Sequence, residues 1–306
     1  MWGGQDARRT ATDDGAAYDV ATTTWRRIES PPPGLSGGRA IAWGPEMVIV
    51  SASSAAAYDP IRDGWRLLPS PAIAPDEEIL DILTVSDGLG IVTIQRAQGR
   101  DPLVGQLLLR TLTATDENWQ TLRPLTLDEF VPNQVIATSD GVIVWDGDGS
   151  RGERYSPARG WTAVQALSPP PGQTINSSRI GYANATVFAV AQLQTPLADD
   201  LVVATLAEGE WTNGPLLGPP SVWSERFYEW KSSSISVGGP RDGRGEPLAM
   251  VDTVSRTVRR VDGFPLETAY DMTVAVGDDA VLFWGGTDGG GVANASGAGV
   301  VWSPTD

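Results

Sequence analysis

The chain contains no cysteine and no histidine, and Lys231 is its one lysine. Without cysteine there is no disulfide framework, no thiolate nucleophile and no thiolate metal site. Without histidine the commonest general base, the commonest metal ligand and the usual switch near neutral pH are all gone. A Ser–His–Asp triad and a three-histidine zinc centre are therefore impossible, and neither a cofactor nor a metal is expected. Apolar runs of bilayer-spanning length are lacking, so this segment is not expected to insert into a membrane. The first residues have neither the basic start nor the apolar stretch of a signal peptide. Cationic charge is scarce: 22 Lys and Arg stand against 38 Asp and Glu, a formal net charge of −16. Such a surface repels nucleic acid and anionic membranes, which removes both as expected partners.

What the chain does have is turn chemistry and a repeated phrase. Glycine (35) and proline (23) are frequent and helix-period patterns are absent, which favours an all-β chain. The clearest copy of the phrase is YDPIRDGWRLLPSP, from Tyr58 to Pro71. Tyr58-Asp59-Pro60 ends one strand in a turn, because Asp59 can bond its own backbone and Pro60 presets the turn angle. Trp65 opens the next strand, and Pro69 and Pro71 stop it. Tyr18 with Trp25, Tyr155 with Trp161, and Trp302-Ser303-Pro304 repeat the phrase. Trp119 and Trp211 mark weaker copies, and Val258 replaces the tryptophan in the weakest. Seven copies at spacings of about 40–54 residues indicate a propeller rather than a helical solenoid.

Each unit parses into four strands, A to D. In the second unit, A runs from Arg39 to Trp43, B from Met47 to Ser51 after a Gly44-Pro45 turn, C from Ala55 to Tyr58, and D begins at Trp65. The B strands are short continuous apolar runs, as expected for strands covered on both faces. Several B strands end in a glycine pair: Gly3-Gly4, Gly238-Gly239 and Gly285-Gly286.

An apolar strand ending in Gly-Gly, then Tyr-Asp-Pro, then Trp about seven residues later, then Pro, resembles the kelch motif. Trp2-Gly3-Gly4 with Tyr18 and Trp25, and Phe283-Trp284-Gly285-Gly286 with Trp302, look most like it. The third and fifth units lack the glycine pair and the tyrosine and are carried by period alone. The resemblance implies an all-β, kelch-like β-propeller of seven blade units in a single domain, 1–306. The units are 1–33, 34–75, 76–126, 127–171, 172–220, 221–266 and 267–306. The first unit lacks strand A and the last lacks strand D. That gap corresponds to a missing N-terminal segment of about 25 residues on the spacing of complete units, with which a signal peptide or anchor could have gone. A bacterial source and an extracellular or cell-surface location are expected. Incomplete end blades would leave an exposed strand edge open to self-association.

The tryptophans at the D position should pack between blades. Arg39, Arg179 and Arg226 attract more interest, because each opens a strand A, four residues before Trp43, Ala183 and Trp230. Strand A is innermost in a propeller, so the three are expected to converge on one concave site, with Trp223 and Tyr228 at its wall and Asp271 beside it. Planar guanidinium groups bind carboxylates or sulfates bidentately. The competing reading pairs each arginine with a carboxylate such as Glu225 or Asp271 and makes it a brace between blades. The B–C loops add Arg8, Arg9, Arg96, Arg100, Arg151, Arg241 and Arg244. They also carry Asp146-Gly147-Asp148-Gly149-Ser150, which hints at a calcium loop but lacks the distal glutamate of an EF-hand and reads as a solvated turn.

Kelch propellers include a copper radical oxidase family, whose histidine ligands and Tyr–Cys crosslink have no counterpart here. A sialidase-like set of Arg, Tyr228 and Glu225 lacks a clear Asp-box repeat. The expectation is a non-enzymatic propeller that recognises a protein or acidic carbohydrate through an arginine-rich face. The alternative is a lyase, hydrolase or epimerase acting on an acidic sugar.

Overall fold

The computed structural model describes residues 14–85, 88–96, 105–127, 132–194, 199–217, 226–230, 233–237, 248–261, 273–277, 280–284 and 299–302. Every regular element among them is a strand. The first repeat unit contributes a hairpin, β1 (Ala16–Asp19) and β2 (Thr24–Arg27), and the later units contribute sheets. Blade one is β3 (Arg39–Trp43), β4 (Glu46–Val50), β5 (Ala55–Asp59) and β6 (Gly64–Leu68). Blade two is β7 (Glu77–Val85), β8 (Gly88–Arg96), β9 (Gly105–Thr113) and β10 (Gln120–Thr121), with β11 (Leu125–Leu127) also paired to β9. Blade three is β12 (Gln134–Thr138), β13 (Gly141–Trp145), β14 (Gly152–Ser156) and β15 (Gly160–Val164). Blade four is β16 (Thr174–Ala183), β17 (Thr186–Gln194), β18 (Asp199–Ala207) and β19 (Glu210–Leu216). Blade five is β20 (Arg226–Trp230), β21 (Ser233–Val237), β22 (Leu248–Asp252) and β23 (Thr257–Arg260), and blade six is β24 (Thr273–Val276), β25 (Val281–Trp284) and β26 (Gly299–Trp302).

The chain is a β-propeller of six blades, where the repeat count predicts seven. The difference lies in the first unit. Among its described residues it supplies only the equivalents of strands C and D, and β2 is exposed along its length. Two outer strands without an apolar inner pair cannot bury a face, so they form a ribbon rather than a blade. The glycine pairs at 3–4, 238–239 and 285–286 lie outside the described residues.

Two compact units divide the contacts. One holds residues 1–131, 139–142 and 155–161, and the other holds 132–138, 143–154 and 162–306. In the first, Val48, Val50, Ala55 and Ala57 of blade one pack against Ile82, Leu89 and Ile91 of blade two. In the second, Ile143 and Trp145 of blade three pack against Ile180, Ala189, Leu193 and Ala204 of blade four, and Phe188 and Val203 lie against Phe227 and Val251 of blade five.

The repeated phrase folds as its chemistry requires. Tyr and Trp become cross-strand partners with ring centroids 4.9 Å apart for Tyr18–Trp25, 5.1 Å for Tyr58–Trp65 and 5.4 Å for Tyr155–Trp161. Asp19, Asp59 and Asp252 each accept two backbone N–H bonds from the residues two and three positions on. Those amide donors hold all three carboxyls below the usual aspartate range. In blade one Gly44 takes φ +58°, as the first central position of a two-residue hairpin turn of the II′ kind demands, and Pro45 follows it.

The tryptophan of strand D does a second job that the repeat alone does not reveal. Trp65 Nε1 donates to Glu29 O at 2.8 Å, Trp119 to Pro69 O at 2.8 Å, Trp161 to Arg123 O at 2.9 Å and Trp211 to Gln165 O at 2.7 Å. In every case the acceptor lies four residues after the tryptophan of the preceding unit: 29 follows 25, 69 follows 65, 123 follows 119 and 165 follows 161. Each indole thus ties its blade to the strand D of the unit before it. It satisfies a carbonyl at the point where the proline-rich connection leaves the ladder. Val258 of blade five has no indole and cannot repeat the bond.

Candidate functional site

The three arginines do occupy one register position. Arg39 pairs with Val50, Arg179 with Val190 and Arg226 with Val237, four residues before the A–B hairpin in each case. The same position in blade two is Asp81, opposite Val92, and Gln134 opens β12 in blade three. Arg39 belongs to the first compact unit, and Arg179, Arg226 and Tyr228 belong to the second. Trp223 and Asp271 lie outside the described residues, as do Glu225, Arg8, Arg9, Arg100, Arg241 and Arg244.

In the first unit, Arg39 reaches toward the strand of the next blade. Its Nη2 donates to Ile79 O at 3.3 Å, and its Nη1 sits 3.7 Å from Asp81 Oδ1. A bulge between Ile79 and Asp81 interrupts the β7–β8 register at this point. The carboxylate partner anticipated for such an arginine is thus Asp81, the equivalent residue of the next blade.

In the second unit, the corresponding region is the open edge of β16. Alternate residues of an inner strand turn their backbone groups away from its sheet, and these must find partners. Ile180 N donates to Gln134 Oε1 at 2.8 Å, so the axial residue of blade three closes one position. Ser178 N donates to Gly147 O at 2.5 Å, so the B–C loop of blade three closes another. Arg179 Nη1 donates to Ser178 O at 3.0 Å. Ser178 Oγ accepts the indole N–H of the fully buried Trp145 at 2.8 Å. A bulge between Ile175 and Ser177 precedes this cluster, as bulges often do where a side chain must be re-aimed. β16 lies directly against β20, which carries Arg226 and Tyr228. Tyr228 is half-buried, and its carbonyl accepts the Ser234 hydroxyl at 3.3 Å.

The loop bonded to Ser178 is the Asp146–Ser150 segment that sequence reasoning reads as a solvated turn. Asp146 Oδ1 accepts Gly149 N at 3.1 Å and its Oδ2 accepts the Ser150 hydroxyl at 2.7 Å, while Asp148 Oδ1 accepts Ser150 N at 2.8 Å. Gly149 O accepts Leu167 N at 3.0 Å. Gly147 has φ +82°, and a β-carbon there would collide with Asn133 Nδ2. Burial and the neighbouring Asp148 carboxylate push the Asp146 carboxyl up to about 6, against the pull of the Ser150 and Gly149 donors. Asp148 moves the other way: its burial is outweighed by the Ser150 donors and by Asp146. The two carboxyls titrate as a pair. Alternating Asp and Gly marked this segment in the sequence, but only the fold reveals that its backbone is fastened beside Arg179. No cluster of three or more acidic residues placed to hold a metal ion occurs among the described residues.

No family profile matches the sequence, and none of the curated proteins matches it either. Solved structures do. The oligogalacturonate lyase of Vibrio parahaemolyticus is similar over 95% of this chain and 83% of its own, with a TM-score of 0.61 and 10% identity. Virginiamycin B lyase of Staphylococcus aureus is similar over 89% of this chain and 84% of its own, with a TM-score of 0.52 and 10% identity. At that identity the likeness is one of fold, and the fold it supports is the β-propeller.

Proposed function

We propose that the second compact unit binds an anionic ligand, an acidic carbohydrate or an acidic segment of a protein, through Arg179 and Arg226. The observation that carries this reading is register. The two arginines occupy the same position on neighbouring inner strands, β16 and β20, in a chain that is otherwise strongly acidic. Guanidinium groups held on rigid strands suit carboxylate recognition, and Tyr228, two residues from Arg226, offers an aromatic face to a sugar ring. Arg179→Ala is expected to weaken binding of a trigalacturonate probe by about 1.5–3 kcal/mol in calorimetric titration, the size of a hydrogen bond to a charged group. Its melting temperature should stay at the parent value. Absence of binding by the parent to both trigalacturonate and an acidic peptide, together with a lowered melting temperature in the variant, would make Arg179 a brace between blades instead.

A second reading makes the propeller an enzyme on an acidic sugar. It is favoured by the Asp146 carboxyl, whose tendency to keep its proton to about pH 6 suits proton transfer near neutrality. It is favoured also by a propeller neighbour that is itself an oligogalacturonate lyase. Elimination from a uronate leaves a carbon–carbon double bond conjugated to the carboxylate. Growth of far-ultraviolet absorbance on incubation with trigalacturonate separates this reading from simple binding.

A further inference from the structure

The Asp146–Ser150 loop has two kinds of bond, and they point in different directions. Its side chains are engaged with the loop itself, through Ser150 and Gly149. Its carbonyls are engaged with blade four, Gly147 O with Ser178 N and Gly149 O with Leu167 N. A change in the carboxyl pair therefore alters the conformation of a loop whose backbone is a fastening of the neighbouring blade. Ser178 is the shared anchor, since it is completely buried, receives the Trp145 indole and carries the carbonyl to which Arg179 donates.

We infer that this loop is a proton-operated latch on blade four: with one proton shared between Asp146 and Asp148 it closes on Ser178 and Leu167, and with the proton gone it loosens beside Arg179. The sign follows from linkage. Opening the loop returns both carboxyls to water and to ordinary acidity, so the closed form binds the proton more tightly. At pH 4.5 the closed latch retains its proton. Above about 6 it must hold two negative charges side by side, and opening relieves them. Among the described residues the other charged groups around the pair are few. Arg151 and Glu153 follow on the same loop and strand and form an ion pair at 3.4 Å. Arg179 stands on β16. The packed segment around Leu167 and the Asn133–Gln134 segment bring no ionisable side chain. The Asp146→Asn and Asp148→Asn variants assign a step in this range to the pair. The consequence for Arg179 rests on the anion-binding reading above. Loss of the proton adds negative charge beside the arginine, so an anion should bind more weakly at pH 7.5 than at pH 5.

Amide hydrogen exchange of Ser178 and Leu167 in the ligand-free protein tests the latch, after correction for the intrinsic pH dependence of exchange. A carboxyl that moves from 3.8 to about 6 caps the change at roughly a hundredfold, and solvent on the open side of the pair reduces it to about tenfold. Protection is expected to fall by about that factor between pH 4.5 and 7 and to level off above. Asp146→Asn, which keeps one acceptor oxygen for the Gly149 N–H and turns an amide donor toward the Ser150 hydroxyl, should flatten the profile, and Asp148→Asn should move the step to lower pH. Flat protection in the parent, a step that survives in Asp146→Asn, or one that stays in place in Asp148→Asn would each overturn the latch. Galacturonate titrated at pH 5 and 7.5 is read separately. Absence of binding at both values would defeat the anion-binding reading and leave the exchange result standing.

Discussion

Blades two and four share a plan. Their A strands run to nine and ten residues, and both carry a bulge before the axial position. Inside those matching frames both cores are largely apolar, and they differ at one buried layer. Blade two threads a charge through its sheet. Arg110 on β9 donates through Nη2 to Glu77 Oε1 on β7 at 2.9 Å and through Nη1 to Thr93 Oγ1 on β8 at 2.9 Å, its Nη1 forms an ion pair with Glu77 Oε2 at 2.8 Å, and Thr93 donates to Glu77 at 2.8 Å. The Arg110 and Glu77 side chains are 8% and 6% exposed. Blade four fills the corresponding depth with Ile180, Ala189, Ala191, Leu193 and Ala204. The comparison separates two ways of stabilising a long blade. An apolar core is additive, and each side chain contributes roughly in proportion to the area it removes from water. A buried ion triad is conditional: its attraction approximately offsets the desolvation of both charges, and the balance fails when either partner is removed.

The comparison breaks most sharply at Arg110. Arg110→Met should cost about 3–5 kcal/mol in urea unfolding, because the Glu77 carboxylate is then buried without its cation, with the Thr93 hydroxyl still donating to it. The double change with Glu77→Leu should recover most of that loss. A single variant that costs no more than a surface substitution would mean that the triad admits water. In blade four, Leu193→Ala should cost about 2–5 kcal/mol, set by how far the site can collapse. No second substitution of a polar partner should rescue it.

The indole bonds test what the two blades have in common. Trp119→Phe in blade two and Trp211→Phe in blade four each remove one donor to the preceding unit. Both should cost about 0.5–1.5 kcal/mol. Equal costs would show that the tie is a property of the repeat, whereas a large inequality would tie it to the cores.

Acid gives the smallest and finest contrast. For Glu77, burial raises the carboxyl, but the bonds from Arg110 and Thr93 outweigh it and leave it below the usual glutamate value. Its contribution is therefore present above the unfolded value near 4.5 and lost as pH falls through the lower folded value. For Asp146 the sign reverses, since its contribution is present below 3.8 and lost as pH rises through about 6. Melting temperatures across pH 3 to 8 should show Arg110→Met with a weakened acid slope and Asp146→Asn with a gain relative to the parent on the neutral side. Identical profiles for both variants would remove the contrast.

Several features were legible because their causes are local. A tyrosine six or seven residues before a tryptophan, followed by Asp19-Val20, Asp59-Pro60 or Ser156-Pro157, forms a strand end, a turn and the next strand in each copy. Tyr18, Tyr58 and Tyr155 accordingly meet Trp25, Trp65 and Trp161. Register is equally readable, because a fixed offset from a two-residue hairpin assigns Arg39, Arg179 and Arg226 to one position. What the three arginines do there was not readable. Arg39 is engaged by Asp81, some forty residues on, and nothing within Arg39's own strand names that partner.

The sequence by itself therefore determined the strand class, the repeat, the turns and the aromatic pairs, since each is fixed by residues within one hairpin. Tertiary structure alone decided the rest. It set the blade count, because among the described residues β1 and β2 pair only with each other. It chose the carbonyls that receive Trp65, Trp119, Trp161 and Trp211, since those acceptors arrive from the unit before. It turned Arg110, Thr93 and Glu77 into a closed ion triad rather than three surface groups. It fastened the Asp146–Ser150 loop to Ser178, giving a turn that looked merely solvated a hold on the strand of Arg179. Each of these depends on desolvation and on partners brought together from distant parts of the chain, and a pattern of residue types along one strand carries no record of either.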